Sequence, residues 1–127
     1  MAKWQNDNIL DAALNYIKDN TISVVLCNAQ PATYAEASTT IGNGGHAMAT
    51  ASVAANDMLI DDGSFSGRKI TIPQCTDVTV DETDSATHVA LISDTELIYV
   101  TTCISQSLTA GNLVTIPAWE IELRDAV

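Results

Sequence analysis

Few side chains in this sequence are of a type that does covalent or metal chemistry. Histidine occurs twice, as His46 and His88. His46 follows Gly42-Asn43-Gly44-Gly45, with no acid or cysteine at the spacing that zinc ligation needs. His88 stands beside Val89 in an apolar stretch, where a structural imidazole is the plainer reading. Carboxylates gather twice, as Asp57, Asp61 and Asp62 and as Asp77, Asp81, Glu82 and Asp84. Carboxylate-rich loops suit calcium, but neither group has EF-hand spacing, and acids solvated in turns account for both. A carboxylate pair that hydrolyses glycosides needs a sugar cleft, usually floored by aromatic rings, and aromatic residues are only 5% of the chain. A small hydrolase built on Asp81, Glu82 and Asp84 is the catalytic alternative, and alanine at those positions tests it. Gly63-Ser64-Phe65-Ser66-Gly67 has the outline of a nucleophile elbow, yet Phe65 occupies the position that requires serine. The glycine run at 42–45 lacks the Lys and Ser/Thr of a phosphate-binding loop. The residues alone predict no catalytic group, no metal and no cofactor.

The elements that would position these groups are mostly strands. Residues 86–100 hold two apolar runs around Ser93-Asp94-Thr95-Glu96, the pattern of a hairpin with a short polar loop. Each run is apolar on successive residues, so both strands are expected at the centre, covered on both faces. A helix is expected over residues 8–19. Ile9, Leu10, Ala13, Leu14 and Ile17 form its stripe, Asn8 and Asp11 its cap, and Asn20 a left-handed exit. Trp4 either staples onto the first turn or tips an N-terminal arm of residues 1–7. Strands are expected over 21–27, near 50–53 and 58–60, over 66–73 and over 78–80. The last runs over 113–123, with Leu113, Trp119, Ile121 and Leu123 on one face. Pro117 inside that run implies an edge position or a bulge. About seven short strands after one N-terminal amphipathic α-helix predict a mainly β fold. It would be an antiparallel β-sandwich over residues 21–123, within a single domain of residues 1–127.

Charge narrows the partners. Five Lys and Arg stand against 16 Asp and Glu, a net charge of −11. Such a surface repels phosphate backbones and anionic lipid, so neither nucleic acid nor membrane is an expected partner. Solubility is the plain reading of this acidity. No apolar run approaches the ~18 residues that span a bilayer. The opening MAKWQNDN has no apolar core of a secretory signal. Cys27, Cys75 and Cys103 are odd in number and widely spaced, and read as reduced, buried, small apolar residues of a protein made in a cytoplasm.

Two segments carry a resemblance. Thr87-His88-Val89-Ala90-Leu91 and Thr109-Ala110-Gly111-Asn112-Leu113-Val114-Thr115-Ile116 are the main ones, set after the helix at 8–14 and Ser66-Gly67-Arg68-Lys69-Ile70-Thr71-Ile72. In this order the chain resembles a group of small structural proteins of tailed bacteriophages, found as head decoration or tail-associated virion proteins. The likeness covers most of the chain and is weakest over residues 40–62. It implies a virion part without enzyme activity, made in the host bacterial cytoplasm. The first expectation is a capsid decoration, or cement, protein on the outer surface of the major capsid protein lattice. Such a protein self-associates around a symmetry axis, as a trimer for instance. The alternative is a tail-associated module that binds a receptor or glycan. Trp4, Asn43, His46 and Pro117 are the candidate partner contacts. Deleting residues 1–7 is expected to reduce occupancy on expanded capsids; undiminished occupancy in a binding assay removes the arm.

Overall fold

The computed structural model describes residues 6–63 and 67–123. Among these, the chain forms two α-helices and nine strands, all paired antiparallel within their sheets. The fold is therefore mainly β with a helix near the N-terminus, as the sequence implied, though with more strands than the seven expected.

Helix α1 spans Asp7–Asn20. Its cap is Asn6, whose Oδ1 accepts the N–H of Asn8 at 2.8 Å, so the cap lies two residues before the expected one. Asp11 turns instead to Arg68. At the other end Thr21 is extended (φ −72°), its N–H donating to Ile17 O. Asn20 is not a left-handed exit: it stays helical and donates from Nδ2 to Tyr16 O at 2.8 Å. Leu10 and Leu14 are buried and Ile17 partly so, an i, i+4, i+7 row. Ile9 was expected in that row but is 64% exposed. Ala13, also expected in the row, is exposed too, and with Tyr16 the two line a flanking, solvent-facing ridge. Trp4 and most of the suggested arm lie outside the described residues, as does Phe65.

Strand β1 (Ser23–Cys27) lies between β2 (Ala47–Ser52) and β6 (Asp84–Ile92), and β6 also pairs with β7 (Leu97–Leu108). The short helix α2 (Tyr34–Ser38), which the sequence reading missed, covers one face of this four-stranded sheet. Val25, Cys27, Ala47, Ala90 and Ile92 pack there against its Ala37. Val24, Leu26, Val89 and Leu91 point to the opposite face and enter the main core. Burial on both faces explains the unbroken apolar runs in β1 and β6. β7 departs from the expected central position: it is the sheet's edge strand and is half-exposed along most of its length. Its polar residues, Thr101, Thr102, Ser105, Gln106 and Ser107, suit that edge.

The other side of the core is one bent ribbon. β4 (Arg68–Ile72) pairs with β9 (Trp119–Leu123), and β5 (Cys75–Thr79) pairs with β8 (Leu113–Ile116). The register is continuous: Ile72 faces Trp119, and three residues along each strand Cys75 faces Ile116. Pro73 and Pro117 fall in the gap and remove ladder donors, so the ribbon bends there into two sheets. The single run expected over 113–123 is thus two strands, and Pro117 is the corner rather than a bulge or an edge within one. Leu113 accordingly leaves the face of Trp119 and Ile121 and is 62% exposed. β3 (Leu59–Asp62) adds to the outside of β4. Ile70, Ile72, Ile116 and Ile121 from the ribbon meet Val24, Leu26, Met48 and Leu91 from the four-stranded sheet, a sandwich-like arrangement with Leu14 of α1 in the same cluster.

Arg68 ties α1 to this ribbon. Its Nε donates to Asp11 Oδ1 at 2.8 Å and its Nη1 to Asp62 Oδ1 at 2.7 Å. Hydrogen bonds to Asp11 and then Asp62 raise the guanidinium pKa above its ordinary value. Leu14→Ala is expected to cost about 2–5 kcal/mol in unfolding free energy, since it empties a fully buried site. Ile9→Ala, on the exposed ridge, should change stability by less than about 0.5 kcal/mol. Urea titration of both variants measures the contrast.

Candidate functional site

The acids that looked clustered in the sequence are dispersed by the fold. Asp62 belongs to Arg68, and Asp61 accepts the N–H of Asp62 through Oδ1. Glu82 accepts the N–H of Gly42 at 3.2 Å. Asp84 accepts from Asn28 Nδ2 and from the N–H of Ser85. The Ser85 and Asn28 bonds hold its carboxyl below the ordinary aspartate range. Asp81, Glu82 and Asp84 therefore share no common target. Asp57, Asp77 and Asp81 instead ring a polar hollow of about 650 Å³ between β2 and β5, with Thr50, Ser52 and Gln74. Asp77 stands at φ 55° where the β5–β8 register shifts, the geometry of a bulge. Among the described residues no three His, Cys, Asp or Glu side chains gather closely enough to hold a metal ion.

His46 is held by polar neighbours that sequence spacing did not reveal. Its Nδ1 lies 3.1 Å from Asn28 Oδ1, and its Nε2 lies 3.8 Å from Glu36 Oε2. It closes the loop between α2 and β2, where Gly45 N–H donates to Thr40 O. A Cβ at position 45 would overlap the Thr39 carbonyl, so the glycine is required by close backbone approach. Asn43 is exposed in a short 3-10 turn (Ile41–Asn43) and donates from Nδ2 to Thr40 Oγ1. Asn43 and His46 thus share one loop. Pro117 is exposed at the ribbon corner and lines a different surface. His88 is structural in its setting, with Nδ1 2.8 Å from Thr87 Oγ1.

That different surface is a feature the residue types did not announce. Between β7 and β8 the sandwich is open, leaving a hollow of about 570 Å³. The core residues Leu26, Ala86 and Val89 reach it, and Leu108, Val114 and Ile116 line it as well. A smaller hollow of about 350 Å³ adjoins it through Cys103, Ile116 and Pro117 and ends at Trp119, which stacks obliquely on Tyr99 at 6.1 Å between ring centroids. Ile104 stands at the rim and is 93% exposed. A sequence signal for this face exists: residues 97–119 contain no Asp, Glu, Lys, Arg or His, in a chain of net charge −11.

The described cations are all engaged within the chain. Lys18 Nζ donates to Met58 O, Lys69 Nζ pairs with Glu120 at 2.7 Å, and Arg68 binds two aspartates. The thiols are free. Burial, with Cys103 as a further contribution, pushes the Cys27 thiol up to about 12. Cys75 is also buried, while Cys103 is only half-buried, not buried as the sequence reading had it. No helix among the described residues is long and apolar enough to cross a membrane. No family model, no curated protein and no solved structure matches this chain. At pH 8 a thiol of pKa about 12 is ionised in roughly one molecule in ten thousand. Iodoacetamide on the folded protein should therefore modify Cys103 first and Cys27 last, as peptide mass spectrometry would show. Early labelling of Cys27 would contradict this burial.

Proposed function

We propose that this chain is a structural component of a bacteriophage virion, a capsid decoration protein that binds the outer surface of the major capsid protein lattice. The observation that carries the reading is the division of the surface into two kinds. Acids dominate one part, with the described cations held by internal acceptors. The other part is a long uncharged stretch beside an apolar hollow. A surface so divided suits a protein that works by fitting against other proteins.

The order of segments that resembles small phage structural proteins supports the same assignment. Acidity suits the outer side of a shell, away from packaged nucleic acid, because like charges repel there. The loop carrying Asn43 and His46 is the contact for the capsid lattice in this reading. It is polar and exposed at Asn43, and fixed at its base by Gly45. Binding acts by mass action: a protein that attaches only to the assembled lattice stabilises it against disassembly, and many copies multiply the effect.

Gradient fractionation of virions decides the matter. The chain should co-sediment with heads and dissociate progressively as salt is raised, since an acidic surface binds a cationic one. Recovery with tails assigns it instead to a tail-associated module. Recovery only as free protein overturns the virion reading.

A further inference from the structure

We infer that the uncharged face built on β7 and β8 is an interface between two copies of this chain, in which Ile104 of each copy seats in the other's apolar hollow. The inference rests on the reading of the chain as a contact protein and names one of its partners. Its first ground is shape. Between the pairs Ala86–Gln106 and His88–Thr102, β7 carries three residues against one on β6, which is a bulge. The bulge lifts Ile104 from the sheet and leaves it 93% exposed, directly beside the hollow lined by Ala86, Val89, Leu108 and Val114. Knob and hollow on one face are self-complementary: a two-fold rotation presents each to the other.

The second ground is charge. Two copies of net charge −11 repel, and their approach costs least where neither carries charge. Residues 97–119 supply such a face, and the residues that line both hollows are likewise free of Asp, Glu, Lys and Arg. The other sheet edges differ. β3 ends in Asp61 and Asp62, β9 carries Glu120 and Glu122, and β2 is covered through the Ala49–Val80 bridge and the bond from Asp81 N–H to Met48 O. β7 pairs with β6 on one side and with no strand on the other among the described residues. It has neither the lysine nor the proline that commonly guards an edge. Antiparallel approach of two β7 edges about the two-fold axis brings each Ile104 over the neighbouring hollow.

Sedimentation equilibrium of the purified full chain tests the interface. The wild type should be a dimer, with association strengthened by salt as like charges are screened. Ile104→Asp should raise the dimer dissociation constant at least about a hundredfold, with the circular dichroism spectrum unchanged because the side chain lies outside the core. Leu113→Asp, across the same hollow and also largely exposed, should do the same and serves if the first variant fails to fold. Ile9→Asp adds an equal charge to the exposed ridge of α1 and should leave the dissociation constant within about threefold. A wild type that stays monomeric at several hundred micromolar in 0.5 M salt overturns the inference. So does a trimer, or a dimer that Ile9→Asp weakens as much as Ile104→Asp. A chain that dimerises through Ile104 but is absent from particles leaves the interface standing and removes the virion assignment. A monomer found on heads does the reverse.

Discussion

The pairing of β1 with β6, buried on both faces, is the constraint on which the molecule depends. Val25 faces Ala90 and Val24 faces Leu91 across the ladder, so neighbouring positions serve opposite layers. Two strands that are apolar on successive residues must be covered twice. The bent ribbon and α1 supply one cover. The short helix α2 supplies the other, and the small side chains of Ala37, Ala47 and Ala90 let it lie close to the sheet. Replacing any of these alanines by a larger residue would force the helix outward and strain its loop.

The ribbon solves the second problem, how to close a core with short strands. Two strands in one register, broken within the same two-residue gap by Pro73 and Pro117, wrap further around the core than straight strands of the same length. The closure is incomplete on the side of β7, and there the hollow opens onto Leu26, Ala86 and Val89. An apolar part of the surface is therefore the place where the sandwich fails to shut. A fold that leaves core side chains at a rim leaves them available to another chain.

Much of this was legible in the sequence. The stripe of α1 was visible in Leu10, Leu14 and Ile17, and the hairpin in the two apolar runs around Ser93, whose Oγ accepts the N–H groups of Thr95 and Glu96. The strand expected over 66–73 is β4, whose Ile70 and Ile72 enter the core. The cap was misplaced because Asn6 and Asn8 are equally good capping residues, and only backbone geometry chooses between them. α2 was missed because five residues, Tyr34–Ser38, are too few to show a helical period. The split at Pro117 was hidden by an alternation that continues through it. The suggested contacts Asn43, His46 and Pro117 proved to lie on two separate surfaces. Ile104 went unnoticed because one isoleucine among serines and threonines has no periodicity.

The ribbon's register has a kinetic consequence. Its partners are roughly thirty-five to fifty-five residues apart along the chain, from Thr79–Leu113 out to Arg68–Leu123. The β6–β7 hairpin lies between them in sequence and closes over a four-residue loop. Local hairpins form in microseconds, whereas long-range ladders wait for the entropy of loop closure to be overcome. The hairpin thus precedes the ribbon, and for that interval the apolar inner face of β6 is without its cover. During synthesis β8 and β9 also leave the ribosome after the hairpin, so the nascent chain carries that bare face until they emerge.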